Sequence, residues 1–527
     1  SRLLPGAPGI GHPQGYRLVA RGQTILVEAA TPAGAAWGLT TLQQLFLAGG
    51  RRLPEAVIED EPAFSRRGVM LDVSRGKVPT LDPLFQLVDL LADLKLNEFQ
   101  LYMEHTFAYR DHREVWQDYS PLTGEEILAL DRYCRERFID LVPNQNSFGH
   151  LTRWLVHERY RHLAEAPEGF EWPWGGRSEE PFSLCPLEPA VIPFLASLYD
   201  ELLPHFSSRY VNVGCDETFD LGQGRSRQAE ARLGIHRVYV DFLLQIHRLI
   251  TERGRVPQFW GDIVIKAPEF IRELPRDMIA LEWGYEANHP FGEHCPRYAE
   301  AGLAFYVCPG TSTWNSLVGR TDNAFANIAS AARYGREYGA LGLLNTIWGD
   351  HGHQDYQPVW YPGIAWGAAM SWSAGRHEPG DVARFLDLYV LRDARGEAGR
   401  LLLDLGNVYK EVGRTPFNAS LLGLLFHRGL EAQSLLEGLT PADFDRTEAR
   451  LRQLEARLDG FCLRCADAPL IQRELANALR LLLHVCRLGR LMLERAAGRT
   501  PPPGESVPLA RDEPRRAVRT DRHGVAR

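Results

Sequence analysis

Arg209-Tyr-Val-Asn-Val-Gly-Cys-Asp-Glu217 reads as an apolar strand that ends in two adjacent carboxylates. Tyr210, Val211 and Val213 are strand formers, and Gly214 and Cys215 are small. Two acids at the tip of an apolar strand cost free energy unless each is paired or used. Successive strand residues point to opposite sides, so Asp216 and Glu217 are expected to reach two different atoms of one ligand. Asp is also a common helix N-cap, and Asp216 read alone fits that role equally well.

On both sides of this stretch, strands alternate with helices. Strands are predicted at 68–74, 98–105, 139–144, 210–217, 258–262, 279–283, 304–308 and 340–348. Helices are predicted at 81–94, 124–138, 232–253 and 361–373. Eight such units within residues 63–378 give an α/β fold class, a (β/α)8 TIM barrel. No internal repeat supports a propeller or solenoid. The long insertions follow strands two, three and seven, on the C-terminal face where barrel sites are built.

Residues 1–62 read as a small α+β domain. Strands at 15–20 and 24–28 flank an Arg21-Gly22-Gln23 turn, a helix covers 33–46, and a last strand leads out at 57–62. Residues 379–499 read as an α-helical domain, with amphipathic stretches at 401–409, 421–436, 441–465 and 470–497. Their apolar stripes suit either packing on the barrel or a homodimer contact. Residues 500–527 are Pro- and Arg-rich with few apolar side chains, the composition of a disordered tail.

A net charge of −8 gives no electrostatic reason to expect nucleic acid or an anionic membrane as partner. No run approaches the length of a membrane span, and no secretory signal is visible. The eight Cys are scattered, so buried free thiols and a cytoplasmic location are expected. The chain opens at Ser1 rather than Met, in mid-pattern, as though upstream sequence had been trimmed. Cys462-Leu-Arg-Cys465, in a helical region with no second pair, is a weak sign of zinc or redox chemistry.

At the predicted strand ends stand Asp72 and Arg75, Glu104 and His105, and Asn144, Asn146 and His150. Trp260 and Asp262, Glu282, Trp283 and Tyr285, Trp314 and Asn315, and Trp348, Asp350, His351 and His353 complete the rim. Aromatic faces stack on the C–H faces of sugar rings while short polar side chains bond hydroxyls. A phosphate site would instead need a Gly-rich loop and cations, and neither is present. His351-Gly-His353 beside Asp350 is the one feature favouring a metal-dependent barrel hydrolase. Amidohydrolase barrels carry His-x-His at strand one, however, and strand one here ends Asp72-Val-Ser-Arg75.

These residues resemble glycoside hydrolase family 20, the β-N-acetylhexosaminidases. Arg67-Gly-Val-Met-Leu-Asp-Val-Ser-Arg75 is similar to the family's first barrel strand, and Val213-Gly-Cys-Asp-Glu217 to its Gly-x-Asp-Glu signature. Gly15-Tyr-Arg-Leu through Gly38-Leu-Thr-Thr-Leu-Gln-Gln-Leu45 resembles the domain that precedes the barrel. Trp283-Gly-Tyr-Glu-Ala-Asn-His-Pro290 and Pro309-Gly-Thr-Ser-Thr-Trp-Asn315 look most like the branch that includes bacterial exo-N-acetylglucosaminidases and hexosaminidase D.

The resemblance implies exo-hydrolysis of terminal β-linked N-acetylhexosamine, with retention and assistance from the substrate's own acetamide, and needs neither cofactor nor metal. It implies that Glu217 is the general acid/base and Asp216 the orienting carboxylate. Arg75 would grip the terminal sugar. Trp260, Trp283 and Trp348 would wall the pocket, and His150 would attend the acid. Asp350 stands where the family usually has Glu. The tyrosine that usually supports the acetamide oxygen has no clean counterpart, and Tyr285, Tyr306 or Trp314-Asn315 are the candidates. The usual acidic partner of His150 falls to Glu104 or His105. Lacto-N-biosidase- or chitinase-like activity is the runner-up.

Overall fold

The computed structural model describes residues 10–50, 53–373 and 377–499. The tail reading at 500–527 lies outside these residues. Eight parallel strands close into a barrel in chain order: Arg66–Asp72, Glu98–Met103, Asp140–Gln145, Tyr210–Asn212, Val256–Trp260, Ile279–Trp283, Ala304–Cys308 and Gly342–Ile347. The eighth pairs with the first, Leu343 opposite Arg67, and this closes the sheet. Each strand alternates between the barrel lumen and the surrounding helices.

The lumen is not lined by aliphatic side chains alone. Its base is a network of amides centred on Gln100, which donates to Glu98 at 2.7 Å and Gln258 at 2.8 Å. Gln100 also accepts from Asn144 and Asn212, each at 3.0 Å. Arg66 ties Glu98 to Asp140, and the Tyr306 hydroxyl donates to Glu98. A buried network of this kind is tolerated because its members find partners. Above it Met70, Tyr102, Trp260, Leu281, Trp314 and Trp348 form an apolar plug.

Before the barrel, the strands Tyr16–Arg21, Thr24–Ala29 and Ala56–Asp60 form an antiparallel sheet with the first strand in the centre. The helix Pro32–Gly49 covers it, started by Thr31, whose hydroxyl accepts the Gly34 amide. The seam with the barrel is polar. Arg67, fully buried, donates to the carbonyls of Phe64 and Lys95 and lies 5.0 Å from the Trp372 ring. Trp372 in turn donates to Asp60.

The C-terminal region is helical, with Pro379–Phe385, Ala398–Leu405, Leu421–Arg428, Pro441–Leu458 and Ala468–Ala496 as its α-helices. Two sequence expectations are corrected here. The amphipathic stretch 421–436 is not one α-helix: it breaks at Gly429, whose φ is 54°, and continues as a 3-10 turn. The helix from Pro441 stops at Leu458, so Cys462-x-x-Cys465 lies in a connection and not on a helix. Burial and Asp467 push the Cys465 thiol up to about 11, away from thiolate chemistry.

Candidate active site

The fourth strand is shorter than its sequence suggests and ends at Asn212. The chain then turns through left-handed conformations at Gly214, Cys215 and Glu217, with φ of 69°, 71° and 50°. Only Gly adopts such angles without cost, so the turn is held from several sides. Asn146 accepts the Cys215 amide at 3.2 Å, Tyr239 donates to the Cys215 carbonyl at 2.7 Å, and Asp262 accepts the Glu217 amide at 3.2 Å.

This turn overturns the strand-alternation reading of the two acids. They do not diverge: His150 Nε2 stands 3.4 Å from Asp216 Oδ2 and 3.4 Å from Glu217 Oε2. The N-cap reading of Asp216 also falls, because the next helix begins at Arg227. Asp216 instead accepts a 2.9 Å bond from the Asn146 amide.

The two carboxylates differ in surroundings. The Asp216 side chain is 8% exposed and that of Glu217 35%. Burial would raise Asp216, but the His150 charge and the bonds from His150 and Asn146 hold it below the usual carboxylate range. Burial would lower His150, yet Asp216 and Glu217 outweigh it and raise the imidazole to about 10. The result is an imidazolium set between the two acids.

Arg75 completes the charge pattern. It donates to Asp72 at 2.8 Å and forms an ion pair with Glu104 at 2.9 Å, and its Nη2 lies 3.4 Å from His150 Nδ1. Its guanidinium lies 5.1 Å from the Tyr102 ring and 5.4 Å from the Trp348 ring. Glu104 Oε1 is 3.9 Å from His150 Nδ1, so Glu104 stands beside the histidine. His105 packs against Tyr119 on the other side of the strand, and burial lowers it to about 3. Asp350 lies near enough to Arg75 and Glu217 for their charges to act on it, and burial raises its pKa.

The aromatic residues fall into two layers. Trp283 and Tyr285 are half-buried, stacked at 5.3 Å, and form an accessible wall. Trp283 donates to Asp262 at 3.4 Å, and Trp348 donates to the Tyr285 hydroxyl at 2.7 Å. Asn323 and Asn327, one turn apart on the helix Thr321–Glu337, donate to the carbonyls of Tyr285 and Gly284 and fix that loop. Trp260 is fully buried beneath Trp348, 5.8 Å away.

Trp314 and Asn315 do not present free faces. Trp314 is 2% exposed, meets Tyr285 edge-on at 5.0 Å and donates to Asn418. Asn315 donates to the Asn418 carbonyl and bonds His351. They support the wall from behind. Tyr306, the other tyrosine considered, sits at the barrel base on Glu98, away from the acids.

His351 and His353 do not converge on a common point. His351 faces Asn315, while His353 is buried with Nδ1 on the Asp72 carbonyl. Among the described residues, the donors that do come together are those of His150, Asp216 and Glu217, and separately those of Glu282, His289 and His294. Glu282 points out of the barrel, where both histidines bond its carboxylate at 2.9 Å and 2.6 Å. Asp262 and Glu104 stood on the strand-end rim without being singled out for binding. Burial, then the charges of Asp216 and Glu217, push Asp262 up to about 8.

Comparison with known proteins agrees with this geometry. Residues 64–332 match the glycosyl hydrolase family 20 catalytic domain, and residues 3–61 match domain 2 of the same family. A β-hexosaminidase of Akkermansia muciniphila is 30% identical over 280 residues, which are 46% of this chain and 55% of that protein. A lacto-N-biosidase of Bifidobacterium bifidum is 22% identical over 382 residues, 69% of this chain and 33% of that protein. The chain thus spans about half of the first relative's length and a third of the second's. The structure of a Flavobacterium johnsoniae chitobiase shares the fold, with a TM-score of 0.58 and 19% identity over 94% of this chain and 81% of that one. No helix among the described residues is long and apolar enough to cross a membrane. By its barrel, by the paired acids at the fourth strand and by both family matches, the chain belongs to glycosyl hydrolase family 20.

Proposed function

We propose that the chain is an exo-acting, retaining β-N-acetylhexosaminidase that removes terminal N-acetylglucosamine, and N-acetylgalactosamine where the pocket accepts it. The observation that carries this reading is the asymmetry of the two acids. Asp216 is buried, ionised and held by Asn146 and His150, whereas Glu217 is open to the pocket mouth.

A fixed negative charge suits a group that must not transfer a proton. Asp216 accepts the N–H of the substrate's 2-acetamido group and aims its carbonyl oxygen at the anomeric carbon. That oxygen bonds to the carbon as the glycosidic C–O bond breaks, and positive charge spreads onto the acetamide nitrogen beside Asp216. Glu217 begins protonated and gives its proton to the departing oxygen. Water then attacks the anomeric carbon of the oxazolinium ion, the bond from that carbon to the acetamide oxygen breaks and restores the acetamide, and Glu217 takes a proton from the water. The two displacements retain configuration.

His150, held as a cation chiefly by the Asp216 charge, makes that buried charge tolerable in turn. Trp283, Tyr285 and Trp348 enclose the acetamide and sugar ring. Arg75, braced by Asp72 and Glu104, offers its exposed edge to the hydroxyls, with Asp350 beside it.

The experiment compares the aryl β-glycosides of N-acetylglucosamine, N-acetylgalactosamine and lacto-N-biose. Release from a monosaccharide glycoside, blocked by a thiazoline analogue of the cyclic intermediate and unaffected by a chelator, is the expected result. Release from the disaccharide glycoside alone would favour the lacto-N-biosidase reading, which the Bifidobacterium relative keeps in view. Loss of activity on chelation would replace the mechanism by a metal-dependent one.

A further inference from the structure

The insertion after the third strand carries a small hairpin, Phe170–Glu171 paired with Arg177–Ser178, that the mechanism above does not use. Its turn is Trp172-Pro-Trp-Gly-Gly176. Trp174 is 69% exposed, the only exposed tryptophan among the described residues. An exposed indole of that size is an unusual choice for a surface. It is not loose: Trp174 stacks on Trp172 at 4.9 Å with 16° between the planes, and it meets Phe219 edge-on at 5.1 Å.

Phe219 connects this platform to the chemistry. It lies two residues after Glu217, and its amide donates to the Glu217 carbonyl at 2.7 Å. Phe219 also packs on Phe182, which in turn lies 4.9 Å from His150. The hairpin is fixed to the same segment by Gln223, which accepts the Glu171 amide at 2.9 Å and donates to the carbonyls of Glu171 and Phe219 at 3.0 Å and 2.8 Å. The exposed rings are therefore held in register with Glu217 through both apolar contact and hydrogen bonds.

We infer that Trp174, backed by Trp172 and Phe219, is a sugar-stacking subsite for the leaving-group unit of an oligosaccharide. The inference rests on the glycosidase reading above. The acid that protonates the glycosidic oxygen must lie on the side of the departing sugar, so that sugar lies toward Glu217 and the segment after it. A flat indole face offers the C–H face of a pyranose the contact it needs. Glu168, Glu171, Glu179 and Glu180 surround the hairpin and are exposed, against two counter-charges: Arg177 pairs with Glu171 and Glu179, and Arg161 with Glu168. A net acidic rim disfavours sulfated or uronic-acid units, so the subsite suits a neutral sugar.

The test uses the full chain and two substrates, the β-linked N-acetylglucosamine disaccharide and the aryl β-glycoside of N-acetylglucosamine. The quantity read is the ratio of their kcat/KM values. Trp174→Ala is expected to lower the disaccharide-to-aryl ratio on the order of tenfold, chiefly through KM. Trp174→Phe is expected to recover much of it. Gln223→Ala, which loosens the hairpin and leaves its rings intact, is expected to move the ratio in the same direction. A ratio unchanged within twofold in Trp174→Ala, or an equal loss on both substrates, would overturn the subsite and leave the glycosidase reading in place. If the wild-type chain cleaves neither substrate, the glycosidase reading falls and takes the subsite with it.

Discussion

Asp216 and Glu217 are neighbours in sequence with opposite demands placed on them, and substitution separates the two. Glu217→Gln keeps the shape and removes the proton, and the loss in turnover of a natural disaccharide is expected to be about 10²–10⁴-fold. Asp216→Asn removes the fixed charge. It is expected to be the more damaging change with leaving groups that depart without acid help. Rates across aryl glycosides of graded leaving-group acidity check both. His150 gives a stability signature. Its raised value means stabilisation fully present below pH 6.5 and lost as the pH rises through about 10. Asp216, depressed below 3.8, contributes above that pH and loses its contribution as the pH falls through its lower folded value. His150→Gln is therefore expected to cost about 3–5 kcal/mol between roughly pH 4 and 6.5, with the gap to wild type closing toward pH 10. Denaturant melts across that range measure it. The acids themselves were legible in the sequence, as was the histidine. The choice between Glu104 and His105 was not, because it depends on which face of the strand looks inward.

At the scale of single elements, the decisive feature is the left-handed turn at 214–217, which alternation along an ideal strand does not anticipate. Gly214 shows why the turn has one solution. A Cβ there would lie 2.5 Å from the Asn146 side chain, at a φ of 69°. Gly214→Ala is expected to cost roughly 1–3 kcal/mol in stability. By displacing Asn146 from Asp216, it should also lower kcat more than KM. A melt and a kinetic series on one preparation test the two halves together. The barrel strands were readable because β-rich runs alternate with helical ones, even where their ends shift by a few residues. The short fourth strand, the break at Gly429 and the early stop at Leu458 escaped that reading. Each depends on a local backbone conformation or a tertiary contact rather than on hydrophobic period. The 170–178 hairpin had a signal of its own, in two tryptophans around a proline before Gly-Gly, inside an insertion already placed at the C-terminal face.

At the scale of the molecule, the barrel does not build its pocket alone. Asn418 accepts from Trp314 and Asn315, and its own amide donates to Glu286 in the Tyr285 loop. Ser420 donates to the Asn315 carbonyl, and Gly423 touches the same carbonyl so closely that a Cβ would lie 2.0 Å from it. These partners are about a hundred residues apart in sequence, so no local pattern could reveal that the C-terminal helices brace the aromatic wall. Gly423→Ala is expected to raise KM several-fold by shifting Trp314 and, through it, Tyr285. Steady-state kinetics test this, and a change in stability with KM intact would count against it.

The Asn418 brace has a consequence for heat. A pocket whose rear support belongs to another region fails when that region lifts away, before the barrel itself comes apart. Warming is thus expected to silence the enzyme at a temperature below the one at which the barrel's circular dichroism collapses. Cooling from that intermediate range should restore turnover, since only a docking step has to be remade.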